Sequence, residues 1–135
     1  MSPLRDARPR YKLEKEQGMQ IANAFFAASR SGDMSALGAL LAADVGMWAD
    51  GGGKRPAATG PIMGYDVVMK LHRSLAVLFG KYGSTLVHIG MINGLPGFVT
   101  READGELQTT ALEIEDGKIA GIYVMRNPDK LRHMH

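Results

Sequence analysis

The chain of 135 residues contains no cysteine, which excludes disulfide bonds and thiolate metal sites. Long apolar runs are also absent: residues 1–20 lack the apolar stretch of a signal peptide. Segment 82–100 carries almost no charge, but its four glycines and one proline do not fit a membrane span. Together with a length that suits one domain, these absences predict a single cytoplasmic domain with no membrane contact.

Charge of either sign is also modest, with 16 Lys and Arg against 14 Asp and Glu. The basic residues gather in segments 5–12 and 126–132, which we interpret as solvated tails, so we expect no direct nucleic-acid binding by this domain. No two of the four histidines have metal-ligand spacing together with a carboxylate. We therefore predict neither a metal nor a cofactor.

Apolar periodicity divides the chain into helices followed by strands. Residues 1–12 are polar, contain two prolines and are interpreted as a linker or arm, and 13–135 as one domain. A spacing of three and four predicts helices over 13–30, 34–43 and 65–82, the last with an inner face of Val68, Leu71, Leu75, Leu78 and Tyr82. Alternation predicts strands over 45–49, 85–92, 98–101, 106–115 and 118–125, and Asn127-Pro128 predicts a short terminal helix.

Helices and strands that are segregated in this way predict the α+β class, with three N-terminal helices packed on a curved antiparallel sheet. A sheet that curves around a helix forms a cone, and its cavity is the default ligand site. His88 alternates with Val87 and Ile89 and is expected to face solvent, with those two on the core side. The residues predicted to line the cavity are Trp48, Asp50, Tyr65, His72 and Tyr123.

The stretch W-A-D-G-G-G-K-R-P, residues 48–56, leaves several interpretations open. A phosphate-binding loop is excluded, because Trp48 stands where its first glycine is required and Arg55 where its Ser or Thr is required. Asp50 could act as a general base with His72 as its partner, although we favour a His72 that bonds a backbone carbonyl. The glycines also suit a docking loop or a plain flexible connection.

Three segments resemble a known family. They are R-P-R-Y at 8–11, W-A-D-G-G-G-K at 48–54 and R-N-P-D-K-L at 126–131. In sequence and order they are similar to segments of the C-terminal extension of one group of extracytoplasmic-function (ECF) RNA polymerase sigma factors. The order of helices and strands likewise resembles the SnoaL-like branch of the nuclear-transport-factor-2-like fold.

The resemblance implies a regulatory domain that contacts the sigma helical domains and, through them, RNA polymerase. The residues it implies in this contact are Asp50, Gly51, Gly52, Gly53, Lys54, Asn127, Pro128, Asp129, Lys130 and Leu131. Nothing upstream of Leu13 could bind a promoter or core polymerase, so the resemblance implies either part of a longer sigma factor or a free-standing relative.

From these residues we expect a regulatory domain that is not an enzyme and that has room for a small apolar ligand in its cavity. The sequence leaves open whether the domain forms a homodimer. The alternative is a free-standing SnoaL-like isomerase, cyclase or hydrolase that uses Asp50 or His72 as its general base.

Overall fold

In the described part of the chain, three helices precede most of the sheet: α1 (Ala7–Ser31), α2 (Met34–Leu40) and α3 (Tyr65–Tyr82). The computed structural model describes residues 7–50, 61–103 and 105–126, and for 7–14 and 50 it describes the backbone alone. The terminal helix predicted from Asn127 therefore lies outside the described residues.

Helix α1 begins at Ala7, inside the segment that the sequence predicts to be a linker or arm. Pro9 is compatible with this earlier start, because the first turn of a helix has no partner for the missing N–H. At the other end, Gly32 has a φ of 81° and the Asp33 carboxylate accepts a hydrogen bond from the Ala36 backbone N–H at 3.1 Å. Helix α1 therefore ends within one residue of its predicted end, and Asp33 is the N-cap of α2.

Six strands form one sheet: β1 (Leu41–Asp50), β2 (Ile62–Met63), β3 (Ser84–Ile92), β4 (Leu95–Glu102), β5 (Leu107–Glu115) and β6 (Lys118–Arg126). Their order across the sheet is β2-β1-β6-β5-β4-β3. Neighbours are antiparallel except β1 and β6, which run parallel. The sheet is therefore mixed, which corrects the prediction of a purely antiparallel sheet and leaves the α+β class unchanged.

The boundary between α2 and β1 also differs from the sequence prediction, which continues the helix to Ala43 and breaks it at Asp44. Leu41 already has extended backbone angles, and its N–H closes the helix on the Gly38 carbonyl. Leu41 also pairs with Ile119 of β6. Pairing with the sheet thus overrides the helix propensity of Ala42 and Ala43.

The hairpin turns follow their sequence signals. Asp116 and Gly117 both have positive φ, 52° and 77°, which is the type I′ geometry that the Asp-Gly pair predicts. Asn93 and Gly94 adopt the same geometry, at 52° and 85°, so β4 begins two residues after Asn93 and the turn is shorter than predicted.

The helices cover one face of the sheet, where Phe25 and Val68 pack against strand residues such as Phe98 and Leu112. One sequence prediction fails near this core, the placement of Val87 on the core side. A bulge between Leu86 and His88 shifts the alternation of β3, so Val87 is 44% exposed while His88 faces solvent as predicted.

Two residues of the predicted inner face lie in the last turn of α3, where they line the cavity but are partly open to solvent. Leu78 and Tyr82 are 47% and 60% exposed, although the helical period places them on the inner face. Both border the cavity described below, at its open end. No helix in the described part of the chain is long and apolar enough to span a membrane.

Candidate functional site

A cavity of about 730 Å³ lies between the helices and the sheet. Its walls are mostly apolar and carry a few polar side chains, a composition typical of ligand sites. The lining residues are Phe25, Arg30, Met47, Ala49, Ile62, Leu71, His72, Leu75, Leu78, Phe79, Tyr82, Gly83, Glu102, Ala103, Glu106, Gln108, Thr110, Ile122, Val124 and Arg126.

Strand alternation decides which side chains reach the cavity. Successive residues of a strand point to opposite faces. One row across the inner face joins Ala49, Val124, Thr110 and Phe98, which are register partners in four neighbouring strands. On β4 the same face continues from Phe98 to Glu102, so an acidic side chain ends up at the cavity wall.

Arg30, near the end of α1, is held on several sides. Its Nε donates to Ser84 Oγ at 3.2 Å, and its Nη1 donates to Ser29 Oγ at 3.0 Å. The guanidinium carbon lies 4.0 Å from the centre of the Phe79 ring, a cation–π contact. Burial lowers the pKa of Arg30, and the Glu102 carboxylate opposes this effect.

Glu102 is the counter-charge of Arg30, with Oε2 4.0 Å from Nη2. That distance allows charge attraction but no hydrogen bond, and Nη2 has no hydrogen-bond partner in the described part of the chain. The same Oε2 accepts hydrogen bonds from the hydroxyls of Ser84, at 2.9 Å, and of Thr100. Glu102 is only 8% exposed, so it forms with Arg30 a buried polar cluster that borders the cavity.

His72 of α3 is 4% exposed and lines the cavity as predicted. Its Nδ1 lies 3.0 Å from the Val68 carbonyl oxygen, which can only accept, so Nδ1 carries the proton. Burial lowers the pKa of His72, the bond to Val68 opposes this, and the charge of Arg30 lowers it further. The ring is therefore neutral at pH 7, and its Nε2 has a lone pair to offer.

Trp48 and Tyr123 lie on the other face of the sheet, which contradicts the prediction that they line the cavity. They are register partners in β1 and β6, and their rings stack with centres 4.9 Å apart. The Tyr123 hydroxyl donates to Glu113 Oε1 at 2.7 Å, and this bond raises the pKa of Tyr123. Both rings border a shallow groove of about 200 Å³.

Tyr65 also does not line the cavity. The Tyr65 hydroxyl lies so close to Gly38 that a Cβ at this position would collide with it. Tyr65 therefore packs α3 against α2. Asp50 ends β1, where its backbone is opposite Met125, and its side chain is outside the described part. The predicted contact segments 51–54 and 127–131 lie outside the described residues.

At the open end of the cavity, Arg126 forms a second charged cluster. Its Nε donates to Gln108 Oε1 at 3.1 Å, and its Nη1 lies 3.6 Å from Glu106 Oε1. Because β1 and β6 run parallel, residues 50 and 126 end their strands at the same edge of the sheet. Two of the three segments that carry the family resemblance, 48–54 and 126–131, therefore include residues at these neighbouring strand ends beside the cavity.

Arg30 and Glu102 line the cavity but were not predicted from the sequence. A signal was present for Glu102, which follows Phe98 and Thr100 at intervals of two and so shares their inner face. Arg30 follows Phe26 by one helical turn, which places it beside the apolar stripe of α1. Within the ranges that the structure describes, no three His, Cys, Asp or Glu side chains are arranged to hold a metal ion.

Comparison with known proteins shows the fold. No family model matches the chain. A SnoaL-like protein from Burkholderia thailandensis superposes with a TM-score of 0.66 at 13% identity, over 83% of this chain and 95% of that one. A putative ketosteroid isomerase from Kribbella flavida superposes at 0.60 with 17% identity, over 84% and 79%. The expected cone of helices on a curved sheet is thereby confirmed.

A sigma factor is similar in both sequence and structure. The chain is 27% identical over 118 residues to the ECF RNA polymerase sigma factor SigJ of Mycobacterium tuberculosis, over 82% of this chain and 38% of that protein. The SigJ crystal structure superposes with a TM-score of 0.64 at 26% identity, over 93% of this chain and 47% of that one. The chain thus spans less than half the length of this relative.

Proposed function

We propose that this chain is a regulatory domain of an ECF-type sigma factor and acts through contacts with the sigma helical domains. The observation that carries the proposal is the similarity to SigJ, which extends over most of the chain in both sequence and structure. The SnoaL-like protein and the putative isomerase share the fold at 13% and 17% identity, and likeness at that level supports the architecture alone.

The proposed contact uses segments 50–54 and 127–131. Supporting this choice, the parallel strands β1 and β6 end side by side, with Asp50 opposite Met125. Ala49 and Arg126, at those strand ends, also line the cavity. A ligand inside the cavity would therefore lie next to the docking edge and would shift the balance of docked and released states by binding one of them more tightly.

Loss of the docking contact is tested by Asp50→Ala and Lys54→Ala in the native-length protein that carries this chain. Transcript yield from a promoter that this protein activates is measured with purified core polymerase. We expect each substitution to change the yield about fivefold, and in the same direction, because a coupling of about 1 kcal/mol corresponds to that factor.

The matched control is Glu16→Ala, at an exposed position of α1. This control is expected to leave the yield unchanged. An unchanged yield in both docking variants, at normal protein level, would rule out the docking role of the glycine segment.

The enzyme alternative receives less support from the described residues. His72 is bonded to a backbone carbonyl, as in the interpretation that needs no catalysis. The Arg30–Glu102 pair lies beside it, but the carboxylate is engaged by two hydroxyls. The pairing of Asp50, as general base, with His72, as its partner, stays a prediction, because the Asp50 side chain is outside the described part.

A further inference from the structure

We propose that the cavity takes a neutral amphipathic ligand, with an apolar body and a hydroxyl group that donates a hydrogen bond to a buried polar side chain of the cavity wall. The candidate acceptors are Glu102, His72 and Thr110, which all line the cavity. The inference rests on the proposed function only for its consequence, regulation of a sigma factor, since binding itself requires no partner protein.

An anionic ligand group would find no free counter-charge beside Arg30 and Glu102. Arg30 uses Nε and Nη1 on the hydroxyls of Ser84 and Ser29. Its Nη2 is buried and faces Glu102, whose carboxylate already occupies the place that an anionic ligand would take. A carboxylate or phosphate would instead meet the negative charge of Glu102 in surroundings of low dielectric, which is unfavourable.

The polar groups that retain capacity are acceptors. Both side-chain hydrogen bonds of Glu102 end on Oε2, which leaves Oε1 available. Val68 engages Nδ1 of His72, which leaves the lone pair of Nε2. Thr110, 3% exposed and on the same wall, contributes a hydroxyl that both accepts and donates. A ligand that reaches these acceptors is therefore recognised through the hydrogen bond that it donates to one of them.

The ligand is expected to be neutral because the charges around the cavity are already balanced. Arg30 is matched by the largely buried Glu102, and Arg126 by the more exposed Glu106. A protonated amine would lose its hydration without a net negative charge to compensate, and burial of an uncompensated ion is costly.

The remaining walls fit an apolar body. Phe25 and Leu75 line the helical side, and Ile122 and Val124 line the sheet. The volume of about 730 Å³ lies within the range of sites for drug-sized molecules. Leu78 and Tyr82 extend the apolar surface to the open end, where they are exposed.

Four fluorescent probes with one ring system test this ligand chemistry on the full 135-residue chain: 1-pyrenemethanol, 1-methylpyrene, 1-pyrenecarboxylate and 1-pyrenemethylammonium. Dissociation constants are measured by titration of pyrene fluorescence. We expect 1-pyrenemethanol to bind about tenfold more tightly than 1-methylpyrene, which corresponds to one hydrogen bond to a buried acceptor. The carboxylate is expected to bind most weakly.

Two substitutions locate the hydroxyl. Thr110→Val and His72→Phe each remove one acceptor and keep a similar shape. Because an alcohol has a single O–H to donate, we expect at least one of the two substitutions to reduce the ratio of alcohol to methylpyrene affinity to about 1. The matched control is Thr109→Val, the neighbouring residue on the opposite face of β5, which borders the other groove. This control is expected to keep the ratio, and the use of a ratio cancels any general loosening of the cavity.

Several results would overturn the proposal: equal affinities for the alcohol and methylpyrene, tightest binding of the carboxylate or the ammonium, no binding of any probe, or a ratio unchanged in both Thr110→Val and His72→Phe. These titrations contain no polymerase, and the transcription test above contains no probe. Failure of the ligand chemistry is therefore distinguishable from failure of the regulatory function.

Discussion

Glu102→Ala is expected to lower the free energy of unfolding by about 3 kcal/mol, because it leaves a largely buried guanidinium without its counter-charge. Arg30 Nη2 lies 4.0 Å from Glu102 Oε2 and has no hydrogen-bond partner among the described residues, so the carboxylate is its electrostatic compensation. The substitution also removes the acceptor of the Ser84 and Thr100 hydroxyls. The measurement is urea denaturation of the chain followed by circular dichroism.

The control for this prediction is Glu16→Ala, which removes an exposed carboxylate and is expected to change the free energy of unfolding by less than about 0.5 kcal/mol. The double variant Arg30→Met with Glu102→Leu is expected to recover most of the loss, because apolar residues of similar volume can replace a buried ion pair. A Glu102→Ala variant no less stable than the Glu16→Ala control would contradict the role assigned to this pair.

Phe25→Ala is expected to cost about 3–5 kcal/mol, the usual range for truncation of a buried phenylalanine. Phe25 is 2% exposed and its ring centre lies 5.5 Å from that of His72 and 6.1 Å from that of Phe98. Its loss therefore removes contacts from α1 to both α3 and the sheet. Since the ring already borders the cavity, the effect is expected near the lower end of the range.

Val77→Ala is the matched control for Phe25→Ala. It shortens an apolar side chain that is 67% exposed on α3, and the expected change is within about 0.5 kcal/mol. Both variants are measured by the same urea denaturation. A loss below about 1 kcal/mol in Phe25→Ala would mean that this ring does not hold the helices to the sheet.

Sequence patterns predicted correctly those helices and turns whose ends depend only on residues within or next to them. Helix α3 runs from Tyr65 to Tyr82 as predicted, because an unbroken apolar period lies between Gly64 and Gly83, both with positive φ. The Asp116-Gly117 turn likewise follows from the two residues that form it. In both cases no distant contact was needed.

The wrong predictions concern residues whose conformation or face is set by a partner distant in the sequence. Leu41 is extended because it pairs with Ile119, and nothing near Leu41 in the sequence indicates that partner. On β1 both faces are apolar, with Met47 on one and Trp48 on the other, so alternation alone did not reveal which face the helices cover. The prediction accordingly placed Trp48 in the cavity.

The cluster of Arg30 and Glu102 could not be predicted either, because the two residues are distant in the sequence. Arg30 and Glu102 belong to α1 and β4, and only the register of the sheet and the packing of α1 on it bring their charges to 4.0 Å. His72 was predicted in the cavity because it lies one turn from Val68 on a single helix. Its bond to the Val68 carbonyl was one of the two interpretations that the sequence left open.

The most direct test of the regulatory function is isolation of the native protein that carries this chain, tagged at its own gene, followed by identification of what stays bound. We expect the core subunits of RNA polymerase in stoichiometric amount, with a tagged protein larger than the 14.6 kDa of this chain by on the order of one further domain of ~150 residues. A protein of about 14.6 kDa recovered without polymerase subunits would contradict the sigma-factor proposal.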